Sequence, residues 1–197
     1  TVAKILDFKK QMKLKDIPEN INALETEGLS FSYNKNKILI DNINLKFEIG
    51  KINLIIGESG SGKSTLSNLI SGLEFPNQGK VAYIGSSGRK YVSTRFKAKI
   101  GYITQNIYIF HESLRDNLVY GKKISDKKIW SVLKDVGADT FVKNLGGLDT
   151  VTAEKGQTIS GGEMRRLGIA RVLLSGDDII IFDEPTSGLD KKNKDKI

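Results

Sequence analysis

Between Ile56 and Leu66 the chain reads Gly57-Glu58-Ser59-Gly60-Ser61-Gly62-Lys63-Ser64-Thr65, directly after the apolar run Ile52 to Ile56 and directly before a stretch with helical spacing. It matches GxxxxGK[ST] both in residues and in its strand-before, helix-after setting. Few folds accommodate such a segment. The glycines let the backbone curl until successive N–H groups converge, and the following helix adds the positive end of its dipole. The resulting cavity suits the phosphates of a nucleoside triphosphate. Lys63 would reach the β- and γ-phosphates and Ser64 would hold Mg²⁺, with Glu58, Ser59, Ser61 and Thr65 completing the loop. The alternative is a glycine-rich turn without a ligand, and three glycines, a lysine and two hydroxyls in register argue against it.

A length of 197 residues allows one substantial core, or a core with a smaller lobe. With no cysteine, disulfide frameworks and Cys-based zinc sites are excluded, and a reducing compartment is favoured. No apolar run approaches the roughly 18–20 residues needed to span a bilayer, and no signal segment opens the chain, so the fragment itself reads as soluble. Net charge is +8, from 31 basic and 23 acidic residues, which raises nucleic acid or an anionic membrane surface as a neighbour. The lysine clusters at Lys9 to Lys15, Lys35 to Lys37, Lys122-Lys123 and Lys191-Lys192 lack the interleaved aromatics of single-strand binders. A solvated face is the competing reading. The chain starts at Thr1 without methionine and stops at Ile197 inside a helical pattern, so it reads as a piece of something longer.

Residues 1–23 form a lead-in, with Val2, Ile5, Leu6 and Phe8 near helical spacing before Pro18 breaks the pattern. From Leu24 strands are expected: Leu29, Phe31 and Tyr33 alternate, as do Ile43, Leu45, Phe47 and Ile49, across a turn at Asn34 to Lys37. The run Ile52 to Ile56 suits a buried parallel strand. After the loop, Leu66, Leu69 and Ile70 share a helix face and Gly72 is a stop. Strands are predicted at Lys80 to Ile84 and Lys99 to Thr104. Helices follow from Glu112 to about Leu145, with Ser125 as an N-cap before Ile129, Trp130, Leu133 and Val136. A last helix, Gly161 to Leu174, leads into the strand Ile179 to Phe182. Strand, helix and strand in that order predict an α/β fold, a parallel sheet covered by helices, with the helix-rich middle as a separate lobe.

Two further clusters carry chemistry. Ile179-Ile180-Ile181-Phe182-Asp183-Glu184 is a strand ending in adjacent carboxylates, where open α/β sheets place catalytic groups. Asp183 would join the magnesium shell and Glu184 would orient and polarise the water attacking the γ-phosphate. Ser160-Gly161-Gly162-Glu163 is a turn feeding a helix N-terminus, which is either an ordinary helix start or a second anion-binding end.

In this order, the motifs resemble the nucleotide-binding domain of the ATP-binding cassette (ABC) superfamily. Gly57 to Ser64 is similar to Walker A, and Ile179 to Glu184 to Walker B with its catalytic glutamate. Ile159 to Glu163 is similar to the signature LSGGQ, with Ile159 for Leu and Glu163 for Gln. Gln105 resembles the Q-loop glutamine, which touches Mg²⁺ and the water, and Ser187-Gly188-Leu189-Asp190 resembles the D-loop. Tyr33 fits the aromatic that stacks on adenine, with Phe31 or a core role as alternatives. The resemblance covers about Leu24 to Ile197.

It implies ATP and Mg²⁺ as cofactors and an ATPase in which Glu184, Lys63 and Gln105 are catalytic. The metal shell would be Ser64, Gln105 and Asp183. The implied fold is a RecA-like parallel core with an N-terminal antiparallel β subdomain and a helical subdomain at about 110–165, lacking its C-terminal part. It also implies a head-to-tail dimer, homo- or heterodimeric, in which Ser160, Gly161, Gly162 and Glu163 of one copy close over ATP held by the other.

Within the superfamily, Gly147 to Gly156 resembles the segment GxDTxVGExG that precedes the signature in exporters, with Thr152-Ala153 in place of Val-Gly. Phe110 to Leu118 resembles the exporter stretch that meets the coupling helices of the membrane domain. These imply an exporter at the cytoplasmic face of a membrane, with residues 1–23 as the linker from a transmembrane domain in the same chain and with no nucleic-acid partner. The alternative is a soluble ABC ATPase acting on nucleic acid or ribosomes, suggested by the charge. His111 lies upstream of the signature and so is not the family's switch histidine, which is expected beyond Ile197; it reads as a loop residue. Glu163 adds a carboxylate near the partner's nucleotide, which is expected to weaken closure modestly. Together with Arg165-Arg166 it also resembles the cytochrome-assembly thiol exporters.

Overall fold

The long strand β2 (Ile21–Phe31) organises the first half of the chain by pairing antiparallel with β3 (Ile40–Glu48) on one edge and β4 (Gln78–Gly85) on the other. The computed structural model describes residues 14–34, 37–104, 106–152 and 159–183. β5 (Lys90–Val92) extends this sheet to the order β3-β2-β4-β5, while β1 (Lys15–Asp16) pairs parallel with β6 (Phe96–Lys97). The alternation expected around Leu29 and Phe31 is present, and the hairpin closes through an Asn34–Lys37 bridge. β2 begins at Ile21, three residues ahead of Leu24, because Ile21 and Ala23 already find ladder partners in β4.

Register along β2 shifts near Gly28, and Gly79 of β4 packs across that irregularity. A side chain at Gly79 would place its Cβ 2.2 Å from the Gly28 carbonyl oxygen, and φ there is +76°, so only glycine fits without displacing a strand. The helix after the phosphate loop, α1 (Lys63–Ser71), buries Leu66, Leu69 and Ile70 and ends at Gly72 in the left-handed region, as its spacing predicts. The buried Tyr83 hydroxyl donates to the Ile70 carbonyl at 3.5 Å, and burial pushes its pKa up to about 12.

The described residues divide into two compact units between Ile100 and Gly101. The second holds α2 (Leu114–Val119), α3 (Asp126–Asp135), α4 (Asp139–Asn144) and α5 (Gly161–Ser175). β7 (Ile100–Ile103) and β8 (Ile179–Phe182) pair as a two-stranded sheet. The core gathers Leu114 and Leu118 of α2, Ile129, Val132 and Leu133 of α3, Val142 of α4, and Leu167, Ala170 and Leu174 of α5. Leu133 alone, fully buried, contributes roughly 1.5–3 kcal/mol. Ser125 takes the N-cap position of α3 with extended backbone, although its side chain makes no capping bond.

One expectation is corrected. Ile52 to Ile56 is not a strand but irregular chain, with Ile52 99%, Leu54 79% and Ile56 83% exposed. An all-apolar parallel strand is held by ladders from neighbours that arrive through long crossovers, not by a local hairpin. Both edges of β2 are already taken by β3 and β4.

Candidate functional site

The phosphate loop owes its shape to its glycines. Gly60 and Gly62 have φ of +79° and +94°, and the Ser61 N–H donates to the Glu58 carbonyl at 3.2 Å, closing a tight turn. Gly62 is the N-cap of α1 and makes no side-chain capping bond, so no cap side chain lies over the helix start, the end of a helix that favours an anion. Lys63 bends back and donates to the Gly57 and Glu58 carbonyls at 2.9 and 2.7 Å. Its ammonium therefore sits at the mouth of the loop, held by neutral acceptors that phosphate oxygens would outcompete. This donor set fits a triphosphate. Thr65 is buried within α1, and its hydroxyl lies 3.3 Å from that of Tyr33.

Tyr33 is 60% exposed, and its ring meets Phe31 edge-on with centroids 4.8 Å apart. The exposed face is available for stacking, while Phe31, 6% exposed, belongs to the core.

In the second unit, Asp183 follows β8, its N–H bonded to the Ile103 carbonyl at 2.9 Å and its Oδ2 accepting from the Tyr102 hydroxyl at 3.3 Å. Gln105 and Glu184 lie outside the described residues, as do the D-loop residues Ser187 to Asp190. The signature residues open α5. Ser160 is its N-cap, accepting from the Glu163 N–H, while the Glu163 side chain returns to Ser160 in a capping box. The Ser160 hydroxyl bond holds the Glu163 carboxyl below its usual pKa; burial opposes this, and the Ser160 backbone N–H and the charge of Arg166 add to it.

The structure also joins two stretches that the sequence singled out separately, through an Asn117 whose role the sequence did not disclose. Buried Asn117 accepts from the Phe110 N–H at 2.8 Å and donates to the carbonyls of Phe110 and Ser113 at 2.9 and 3.1 Å. Thr152 donates its hydroxyl to the Phe110 carbonyl at 2.6 Å, and His111 donates Nδ1–H to the Thr152 carbonyl at 2.7 Å. Arg115 bonds Asp126 and Asp149, which raises its pKa, Asp126 contributing most. Backbone bonds from Leu114 to Thr150 and from Arg115 to Leu148, at 2.9 and 2.8 Å, complete the seam. The stretches Phe110 to Leu118 and Gly147 to Thr152 are thus stitched together. A polar Asn at a core-facing position of a short helix was the available signal.

Beside the seam, Tyr108, Phe110 and Tyr120 form an exposed edge-to-face row, with Arg171 4.7 Å from the Tyr120 ring centre. On the sheet, Lys46 and Lys90 meet Glu25, and Lys80 and Lys90 meet Glu27. No helix among the described residues is long and apolar enough to cross a membrane.

Comparison with known proteins agrees with these motifs. An "ATP-dependent lipid A-core flippase" of Syntrophus aciditrophicus is 37% identical over 191 residues, 96% of this chain and 31% of its own length. The "Glutathione/L-cysteine transport system ATP-binding/permease protein CydC" of Haemophilus influenzae is 35% identical over 181 residues, 90% of this chain and 31% of its own. The chain spans about a third of the length of such relatives. A solved structure of a bacterial Atm1-family ABC exporter with ATP bound covers 98% of the chain and 37% of its own, with a TM-score of 0.79 and 24% identity, and so shares the α/β fold. A family model described as ABC transporter matches residues 40–187, which takes in the phosphate loop, the Ser160 helix start and Asp183, and the chain therefore belongs to the ABC transporter family.

Proposed function

We propose that this chain is the ATP-binding and ATP-hydrolysing cassette of a membrane exporter, residues 24–197 forming the cassette and about 110–165 its helical subdomain. The observation that carries the reading is the phosphate loop, with left-handed Gly60 and Gly62, an uncapped helix start and Lys63 poised at its mouth. Relatives named for different cargoes, lipid A-core in one and glutathione and L-cysteine in another, share this portion, which supports an engine common to them and not a cargo site.

The Lys63 ammonium leaves its carbonyl acceptors for the β- and γ-phosphates, and the α1 N–H groups bind the remaining phosphate oxygens. Tyr33 stacks on adenine, with its hydroxyl tied to Thr65. Ser64, Gln105 and Asp183 would hold Mg²⁺, which would supply charge neutralisation at the phosphates. Glu184 orients the attacking water and takes its proton. Ser160, Gly161 and Gly162 of a second copy close over the triphosphate, so the working unit is a head-to-tail pair. The Phe110 to Leu118 stretch, with Phe110 and the flanking Tyr108 and Tyr120 exposed, faces the transmembrane domain, and the cassette works at the cytoplasmic face of a membrane.

The test uses the full-length protein with Mg²⁺ and ATP. Lys63→Ala is expected to weaken nucleotide binding at least about tenfold, corresponding to the loss of a charge-assisted contact. Glu184→Gln is expected to keep binding and to reduce turnover at least about 100-fold, as for loss of a general base. Unchanged nucleotide affinity in the first, or retained turnover in the second, refutes the assignment of that residue.

A further inference from the structure

The helix start of α5 carries its own anion. Glu163 occupies the third position of the helix, and its Oε2 receives both the Ser160 backbone N–H, at 2.8 Å, and the Ser160 hydroxyl, at 2.7 Å. The Ser160 oxygen in turn accepts the Glu163 N–H at 3.4 Å. These are the donors that a serine-capped helix would offer to a phosphate oxygen. A hydroxyl has one proton to give, so donating it to Glu163 excludes donating it to anything else.

Ser160 itself is exposed, and so is Gly161, so an incoming group can reach the helix start and meets the carboxylate there. The site is accessible but its donors are already engaged. The carboxyl is held in its charged form by the Ser160 hydroxyl foremost. The engaged donors therefore face a full negative charge.

We propose that Glu163 is a latch on the working cycle, an intramolecular carboxylate that occupies the phosphate-accepting donors of Ser160 and must release them before the triphosphate on a second copy can be captured. The inference rests on the reading of Ser160 as the residue that closes over the partner's ATP. Two effects act in the same direction. The γ-phosphate competes with Glu163 for the hydroxyl and the N–H, and until the carboxylate swings away the two anions repel each other. Closure then demands more ATP than it would with a neutral residue at position 163.

Glutamine separates the latch from the fold. Its amide oxygen still accepts the Ser160 N–H, so Glu163→Gln retains a capping box and the start of α5, but it removes the charge that grips the hydroxyl and repels phosphate. Charge-assisted bonds are roughly twice as strong as neutral ones, and a difference of that size predicts about a 5- to 10-fold effect on closure.

The experiment measures ATPase rate against ATP concentration, with Mg²⁺, in the purified full-length protein reconstituted in lipid. The variants are wild type, Glu163→Gln, Ser160→Ala and the double substitution. Glu163→Gln is expected to lower the half-saturating ATP concentration about 5- to 10-fold with a melting temperature within about 1 °C of wild type. Ser160→Ala is expected to reduce turnover, and Glu163→Gln is expected to have a smaller effect in that background, where only the Ser160 N–H and the charge repulsion remain. If Glu163→Gln leaves half-saturation unchanged or raises it while Ser160→Ala is impaired, the latch is refuted and the role of Ser160 stands. An equal effect of Glu163→Gln in the Ser160→Ala background likewise refutes the latch alone. Normal turnover by Ser160→Ala refutes the role of Ser160 and the latch with it. Should Glu163→Gln fold poorly, Glu163→Asp, whose shorter side chain keeps the charge but cannot span to both Ser160 donors, is expected to lower half-saturation in the same direction; an unchanged value overturns the proposal.

Discussion

Asn117→Ala removes a side chain that is 2% exposed and joins three backbone groups of the loop before α2. A net hydrogen bond contributes about 0.5–1.5 kcal/mol, so three give about 1.5–4.5 kcal/mol at most. Phe110 is 44% exposed, so water recovers part of what its N–H and carbonyl lose, and alanine no longer has an amide to desolvate. The expected loss is about 2 kcal/mol, which lowers the melting temperature by about 4–8 °C in a chain of this size.

The matched comparison is Arg115→Ala. Its ion pairs look stronger by distance, at 2.5 Å to Asp126 and 2.9 Å to Asp149, but those carboxylates are 62% and 82% exposed. Water and salt screen such pairs to under about 1 kcal/mol. Thermal and urea unfolding of both variants decides between the two effects. A loss below about 0.5 kcal/mol for Asn117→Ala, or a larger loss for Arg115→Ala, refutes the claim that buried neutral bonds hold this seam.

Two further predictions concern the sheet. Gly79→Ala drives a Cβ against the Gly28 carbonyl and is expected to lower stability by about 3 kcal/mol, read from the urea midpoint; a neutral substitution would show that β2 and β4 separate freely. Glu19 accepts hydrogen bonds from Tyr91, Ser87 and Ser86, the Tyr91 bond acting most strongly, and its pKa is lowered to about 2. Because the folded-state value lies below the unfolded one, this contribution is present above pH 4.5 and is lost as pH falls toward about 2. Glu19→Gln is expected to flatten the fall in urea midpoint across that window, and an unaltered slope would exclude Glu19 as its source.

Local signals in the sequence translated well. The last helix ends at Ser175 where spacing predicted Leu174, Gly72 stops α1, and β8 spans the expected Ile179 to Phe182. Each is set by neighbours in the chain: a cap, a left-handed glycine, or an apolar period. Ile52 to Ile56 failed because an all-apolar run is a strand only if distant partners arrive to pair with it. The same limit hid Asn117, whose partners at Phe110 and Ser113 are close in sequence but whose burial depends on α5. The signature was legible as a helix start, and its Ser-x-x-Glu spacing was there to be seen as a capping box. What the letters could not convey is that Glu163 Oε2 takes both Ser160 donors at once, which depends on one rotamer.

Arg171 gives the aromatic row a mechanical consequence. Its guanidinium grips the Asn117 carbonyl at 2.8 Å and the Tyr108 carbonyl at 3.1 and 3.2 Å, and it does so from the middle of α5. An α-helix is stiff along its axis, rising about 1.5 Å per residue, so Ser160 lies roughly 16 Å from this grip along a rod with no joint between them. A load applied at Phe110 meets the Asn117 and Thr152 bonds on one side and Arg171 on the other. A shift of the Phe110 loop that these bonds follow would therefore be felt along one continuous helix, and the residue at its far end is Ser160.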